Sequence, residues 1–368
     1  MKILMINSVC GIRSTGRIVT DAAMSYMAQG HECRIAYGRE DAPEPFKKYA
    51  YRIGTQWDVR RNALKARLFD NEGFHAKRET QNFLEWADRY DPDLLCLHNL
   101  HGYYINLELL FNWIKSRPQM QVEWTLHDCW AFTGHCAYFS FIKCDKWTTG
   151  CNHCQQINKY PASILRDNAE NNYTRKRELF CGVKHMTLIT PSKWLADLVK
   201  DSFLREYPVR IQYNTIDTNI FKPTVSDFRS KMKLEQKKIV LGVAAVWDDR
   251  KGLRDFLKLA DMLEDPYTIV LVGVDPRQKI TNQKNLICLP RTNSARELAE
   301  IYSASDVFIN LTYEDNYPTV NLEAQACGIP CLTYRTGGSV ESVPDQHIVE
   351  QGDLETLVAK IKQICTEK

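Results

Sequence analysis

Glu314 and Asp315 stand three to four residues before Pro318, and Glu323 follows Asp315 by eight positions, in the stretch YEDNYPTVNLEAQACG, Tyr313 to Gly328. A helix that starts at Pro318 exposes its first N–H groups, and these attract anions, phosphate above all. Arg250 and Lys251, in WDDRKGL, offer a bidentate guanidinium and a point charge, a pair suited to a diphosphate. A solvated charged turn is the plainer reading of the same two residues. His127 and Asp128 follow the apolar run VEWTL directly. Cys136, Cys144, Cys151 and Cys154 fall within nineteen residues, the last two as a CxxC. Thiolates so spaced close a tetrahedral structural zinc site; reduced, partly buried thiols or a redox pair are the alternatives.

These groups need a scaffold, and the apolar runs supply one. Val307 to Leu311 has the length and composition of a buried strand, followed by a helix from Pro318 to Ala326 that Cys327-Gly328 ends. Glu314 and Asp315 then lie in a strand-to-helix loop, at the sheet edge where open α/β proteins bind ligands. Lys2 to Asn7, a helix from Ile18 to Met27 and Glu32 to Tyr37 form a βαβ opening. Its loop, SVCGIRSTG, puts Gly16 and Arg17 at the same kind of edge, with Gly11 a turn residue. Strands at Asp93 to His98 and Val122 to Leu126 each deliver a histidine to a carboxyl end. Asp91-Pro92-Asp93 precedes its strand, which does not suit a metal-binding pair of acids. Lys238 to Val246 opens a second α/β half, with strands at Thr268 to Val272, Leu286 to Leu289 and Pro330 to Tyr334. Gly337 and Gly338 permit close approach of a ligand to the backbone. The expected domains are residues 1–210, with a cysteine-rich insertion at about 127–160, and residues 211–368.

Composition bounds the function. The apolar fraction is 44% and the charged fraction 25%, which describes a folded protein. A net charge of +3, with no basic run interleaved with aromatics, excludes nucleic acid as the expected partner. The opening MKILMINSV is too short and apolar for too few residues to be a signal peptide, and no window has the length of a membrane span. A cytoplasmic protein is expected, and its thirteen cysteines are expected reduced. The basic stretch Trp57 to Phe69 is either an ordinary helix with a solvated face or a patch for anionic lipid.

Taken together, these motifs resemble glycosyltransferase family 4. Asp315 and Glu323 match the two acids of its Glu-x7-Glu motif, with Asp in the first place and Asn316 where many members have Gly. Lys251-Gly252 matches its diphosphate loop, although the Arg usually found five residues earlier is Val246 here. The segment NTIDTNIFKP, from Asn214, resembles its domain junction, with Thr215 in place of Gly. HDCW, the cysteine-rich stretch and LHNLHGYYIN resemble the capsule, colanic-acid and O-antigen type within it.

The resemblance implies a GT-B fold, two Rossmann-like doubly wound domains facing a central cleft. It implies retaining transfer of a sugar from a UDP- or GDP-sugar to a free or lipid-linked glycan, with peripheral association at the inner membrane face. Asp315 or Glu314 would hold the sugar, Glu323 the ribose, and His127 would reach the sugar from the other domain. Arg250, Lys251 and the helix start Pro318-Thr319-Val320 would take up the charge of the departing diphosphate, so no catalytic metal is required. A nucleotide-sugar isomerase or epimerase of the same fold, and a catalytically inactive zinc-stapled module, are the other readings that the sequence allows.

Overall fold

A computed structural model of the chain describes residues 1–278, 280 and 283–366. It divides into two compact units, residues 1–213 and 214–368. Each is built on one parallel sheet.

The first sheet contains β1 (Lys2–Asn7), β2 (Glu32–Tyr37), β3 (Ala50–Arg52), β4 (Leu94–Leu97), β5 (Gln121–Thr125), β6 (Met186–Thr190) and β7 (Val209–Ile211). Their order is β3-β2-β1-β4-β5-β6-β7. The central strands β1 and β4 are covered on both faces and are buried and apolar almost throughout. In β1, Leu4 and Ile6 face one core with Leu95 and Leu97, while Ile3 and Met5 face the other with Cys33 and Ile35.

The second sheet contains β8 (Lys238–Val243), β9 (Tyr267–Val272), β10 (Leu286–Leu289), β11 (Val307–Asn310), β12 (Cys331–Tyr334) and β13 (Ile348–Val349), in the order β10-β9-β8-β11-β12-β13. It too is sandwiched: Ile269 and Leu271 pack on one side, Val270 and Val272 on the other.

Both sheets reverse strand order next to their first strand, β1 against β4 and β8 against β11. Loops leaving the carboxyl ends of such a pair diverge to opposite faces and open a crevice between them. The edge strands β3 and β13 carry no apolar run that would announce them in the sequence.

Two sequence expectations are corrected here. The first helix spans Arg13–Ala28, so Gly16 lies in its first turn and not in the preceding loop. Gly16 is buried there because a Cβ would stand 3.1 Å from Val9 Cγ2 and 3.2 Å from the Gly11 nitrogen; close packing demands its smallness. Arg17 is exposed, its Nε donating to the Arg13 carbonyl at 3.3 Å. Pro318 is extended and caps the helix Thr319–Ala326 from outside, instead of forming its first residue. Among the described residues no helix is long and apolar enough to cross a membrane.

Candidate functional site

The second sheet's reversal point gathers most of the sequence-selected residues. After β8 the chain makes a short 3-10 turn, Asp249–Lys251, capped by Asp248, whose carboxylate accepts from the Lys251 N–H at 2.9 Å. After β11 comes the loop bearing Glu314 and Asp315. The two loops are joined at several points. The Tyr313 N–H donates to the Arg250 carbonyl at 2.8 Å, and Arg250 Nη1 donates to the Glu314 carbonyl at 3.1 Å. Lys251 Nζ meets Asp315 Oδ2 at 2.5 Å, with both side chains mostly buried. Gly252 has φ +73°, and a Cβ there would stand 2.1 Å from the Leu311 carbonyl oxygen, so only glycine lets the loops come this close.

The two acids differ in setting. Asp315 presents its carboxylate to Lys251, whereas Glu314 is 1% exposed. Glu323 is buried in the following helix, where it accepts from the Tyr302 hydroxyl at 3.2 Å. Thr319 and Val320 open that helix, and the Gly338 N–H donates to the Asp315 carbonyl at 3.3 Å.

Two supporting groups are not singled out by the sequence. Asp255 accepts from the hydroxyls of Tyr313 at 2.6 Å and Tyr334 at 2.9 Å, fixing the root of the acidic loop. Asn321 accepts from Asn310 at 2.8 Å and donates to the Ser339 and Ser342 hydroxyls, tying helix, strand and glycine turn together. Their signal in the sequence is only that polar residues stand where a helix meets a sheet.

The first sheet places histidines beyond β4, at its own reversal point, and beyond β5, one strand further along. His98 Nδ1 and His127 Nε2 share a hydrogen bond of 3.0 Å, with the rings stacked at 5.3 Å. His101 donates to or accepts from Tyr160 at 2.9 Å through Nδ1, and its Nε2 meets Asp128 at 2.9 Å. Burial takes His127 down to about 4 against the pull of Asp128. Burial, then the His127 charge, holds His98 well below its ordinary value. Burial alone would raise Asp128, but the charge and hydrogen bond of His101 and the Trp130 N–H bring it below its usual range. The result is a pair of neutral imidazoles beside a carboxylate, a surface that can both donate to and accept from hydroxyl groups.

Cys136, Cys144, Cys151 and Cys154 all line one pocket in the irregular segment after β5. Among the described residues no three His, Cys, Asp or Glu side chains already stand in a ligating arrangement.

Comparison with known proteins agrees with this layout. Residues 225–368 match the family described as glycosyl transferases group 1. The chain is 26% identical over 271 residues, 68% of its length and 62% of the relative's, to a colanic acid biosynthesis glycosyl transferase, WcaC, of Escherichia coli. It is 28% identical over 124 residues, 33% of this chain and 32% of the relative, to N,N'-diacetylbacillosaminyl-diphospho-undecaprenol alpha-1,3-N-acetylgalactosaminyltransferase of Campylobacter jejuni. The chain thus spans less than two thirds of the length of either relative. Among solved structures, Anabaena HepE in complex with UDP and glucose covers the whole chain and 90% of its own, at TM-score 0.65 and 14% identity. That likeness shows the fold: the two parallel-sheet units are those of a GT-B protein.

The neutral imidazoles set a pH dependence. His98 and His127 are uncharged in the folded chain but bind protons near pH 6.5 once unfolded. The unfolded state therefore holds more protons between about pH 6.5 and 4, so their contribution is complete above that window and is lost as the pH falls through it. Urea denaturation should show wild type losing about 1–2 kcal/mol more between pH 7 and 5 than the double variant His98→Asn, His127→Asn. An equal loss in both would mean that other groups govern the acid limb.

Proposed function

Since residues 225–368 form a glycosyl transferases group 1 domain within a chain of GT-B fold, we propose that the protein transfers a sugar from a nucleoside diphosphate sugar to a glycan acceptor in polysaccharide biosynthesis. The observation that carries this reading is the Lys251–Asp315 contact at the β8/β11 reversal point, on loops that lead into a helix start. A diphosphate placed there meets an ammonium, a guanidinium and the backbone N–H groups of Thr319 and Val320.

The chemistry follows from that charge. Breaking the bond from the sugar to the diphosphate leaves negative charge on the departing oxygen. Lys251 and Arg250 stabilise it as it develops, which makes a divalent cation unnecessary. Asp315, released from Lys251 by the incoming diphosphate, is free to accept from sugar hydroxyls. Glu323 exchanges its Tyr302 partner for the ribose. The mechanism we favour is attack by the acceptor on the face the leaving group vacates, with retention and without a covalent enzyme intermediate. In the first unit, His127 supplies a neutral hydrogen-bonding ring, held in place by His98. The UDP and glucose in the HepE structure make UDP-sugars the first donors to test, with GDP-sugars beside them.

A lipid-linked acceptor is supported by the name of the Campylobacter relative and by one surface. On the helix Gln56–Phe69, Trp57 is 75% and Leu64 59% exposed; Ile164, whose N–H donates to the Arg67 carbonyl of that helix, and its neighbour Leu165 are 72% and 69% exposed. Arg60 lies over Trp57 and Arg166 over Phe69. Apolar side chains among cations suit the face of an anionic bilayer, and peripheral binding there would bring the enzyme to its acceptor.

Lys251→Met should lower turnover by about a hundredfold or more with a panel of UDP- and GDP-sugars, and Glu323→Gln should weaken UDP or GDP binding by about tenfold in calorimetry. Near-normal turnover in the first, or unchanged affinity in the second, removes that residue from the mechanism. Donor isomerised with no acceptor present would replace the transferase by an isomerase. Separately, wild type should sediment with phosphatidylglycerol vesicles and not with phosphatidylcholine ones, and Trp57→Ser with Leu165→Ser should abolish this. Sedimentation that the double variant retains would exclude this patch.

A further inference from the structure

The segment after β5 is built around the four cysteines that the transferase reading leaves unused. It has little regular structure, only short 3-10 turns at Trp130–Phe132 and Lys146–Thr148. All four sulfur-bearing side chains line a single pocket, and Cys136 and Cys154 are hydrogen-bonded to each other. The surroundings of that pocket favour anionic sulfur. The Gly134 N–H donates to Cys151 Sγ at 3.2 Å, and a backbone N–H at Gln156 points to Cys154. The Trp147 indole N–H, in the pocket wall, is buried and finds no hydrogen-bond partner among the described residues. Lys176 is fully buried: its ammonium donates to the carbonyls of Trp130 and Thr133 and lies 3.4 Å from the Trp130 ring.

The N–H donors of Gly134, Gln156 and Trp147 around four thiols make sense if the pocket holds negative charge. A four-thiolate zinc centre carries two negative charges. Two imidazoles also line the pocket: His135 is already engaged at both nitrogens, by Asp70 and by the Lys159 carbonyl, and does not compete as a ligand, while His153 is exposed to solvent. We propose that Cys136, Cys144, Cys151 and Cys154 close on one zinc ion, each thiol releasing its proton as the zinc–sulfur bond forms. Closure requires the sulfurs to turn inward from their present positions. The ion then acts as a staple. It fixes the segment that leads to Tyr160, whose hydroxyl bonds His101, and so holds the wall of the histidine pocket.

The test uses the full chain purified from zinc-supplemented cells without chelator. Elemental analysis should find about one zinc per chain, and titration with a mercurial should release it as the thiols react. The cobalt-substituted protein should show the charge-transfer and d–d bands of a tetrahedral thiolate site. Cys151→Ser with Cys154→Ser should lose the metal, while Cys288→Ser, an exposed cysteine of the second unit, should keep it. A wild-type protein with less than about 0.1 metal per chain, or metal retained in the double variant, overturns the proposal. If the double variant fails to fold, the mercurial titration of wild type decides alone.

Discussion

The second unit turns on one close approach. Gly252 comes so near the Leu311 carbonyl that no side chain fits between the loops following β8 and β11. Everything at the candidate donor site depends on that contact. It lets the Arg250 carbonyl pair with Tyr313, aims the Arg250 guanidinium at the Glu314 carbonyl, and brings Lys251 onto Asp315. The cation is thereby held in place before any substrate arrives. A partly buried pair of this kind nets only about 1 kcal/mol, whereas hydrogen bonds to a charged group contribute roughly 1.5–3 kcal/mol each. On the proposed reading, a diphosphate would take Lys251 from Asp315 at little cost, and the exchange would free a carboxylate for the sugar.

The first unit works by a different device. There the sheet edge carries imidazoles that burial keeps neutral, one stacked on another, beside a carboxylate that stays ionised. Such groups bind hydroxyls without repelling an anionic donor. Asp255 and Asn321 do comparable work in the second unit by fixing the loop and helix that carry the acids.

Much of this was legible in the sequence, and the physical reason is the parallel sheet. Strands covered on both faces are continuous apolar runs, so Lys2–Asn7 and Glu32–Tyr37 stand out with their ends intact, and the half-exposed edge strand Leu286–Leu289 does so because it too is apolar throughout. Catalytic-edge loops follow directly from strand ends, which is why His127, Lys251 and Asp315 could be singled out by position as well as by type. Gly16 misled because a glycine after a loop signals more loop, when here it permits tight packing in a helix. The His98–His127 stack, the buried Lys176 and the Asn310–Asn321–Ser339 links were invisible, since each joins residues far apart in the chain and their types alone are ordinary. Edge strands such as β13 escaped because two residues carry no periodicity.

The most direct test of the central claim, that the β8/β11 reversal point holds a nucleoside diphosphate, is amide hydrogen exchange with and without saturating UDP or GDP, in the presence of EDTA. The account predicts slowed exchange concentrated in two segments, residues 244–253 and 311–322, with one of the two nucleotides and with the chelator present. Protection elsewhere in the chain, or none with either nucleotide, would contradict it.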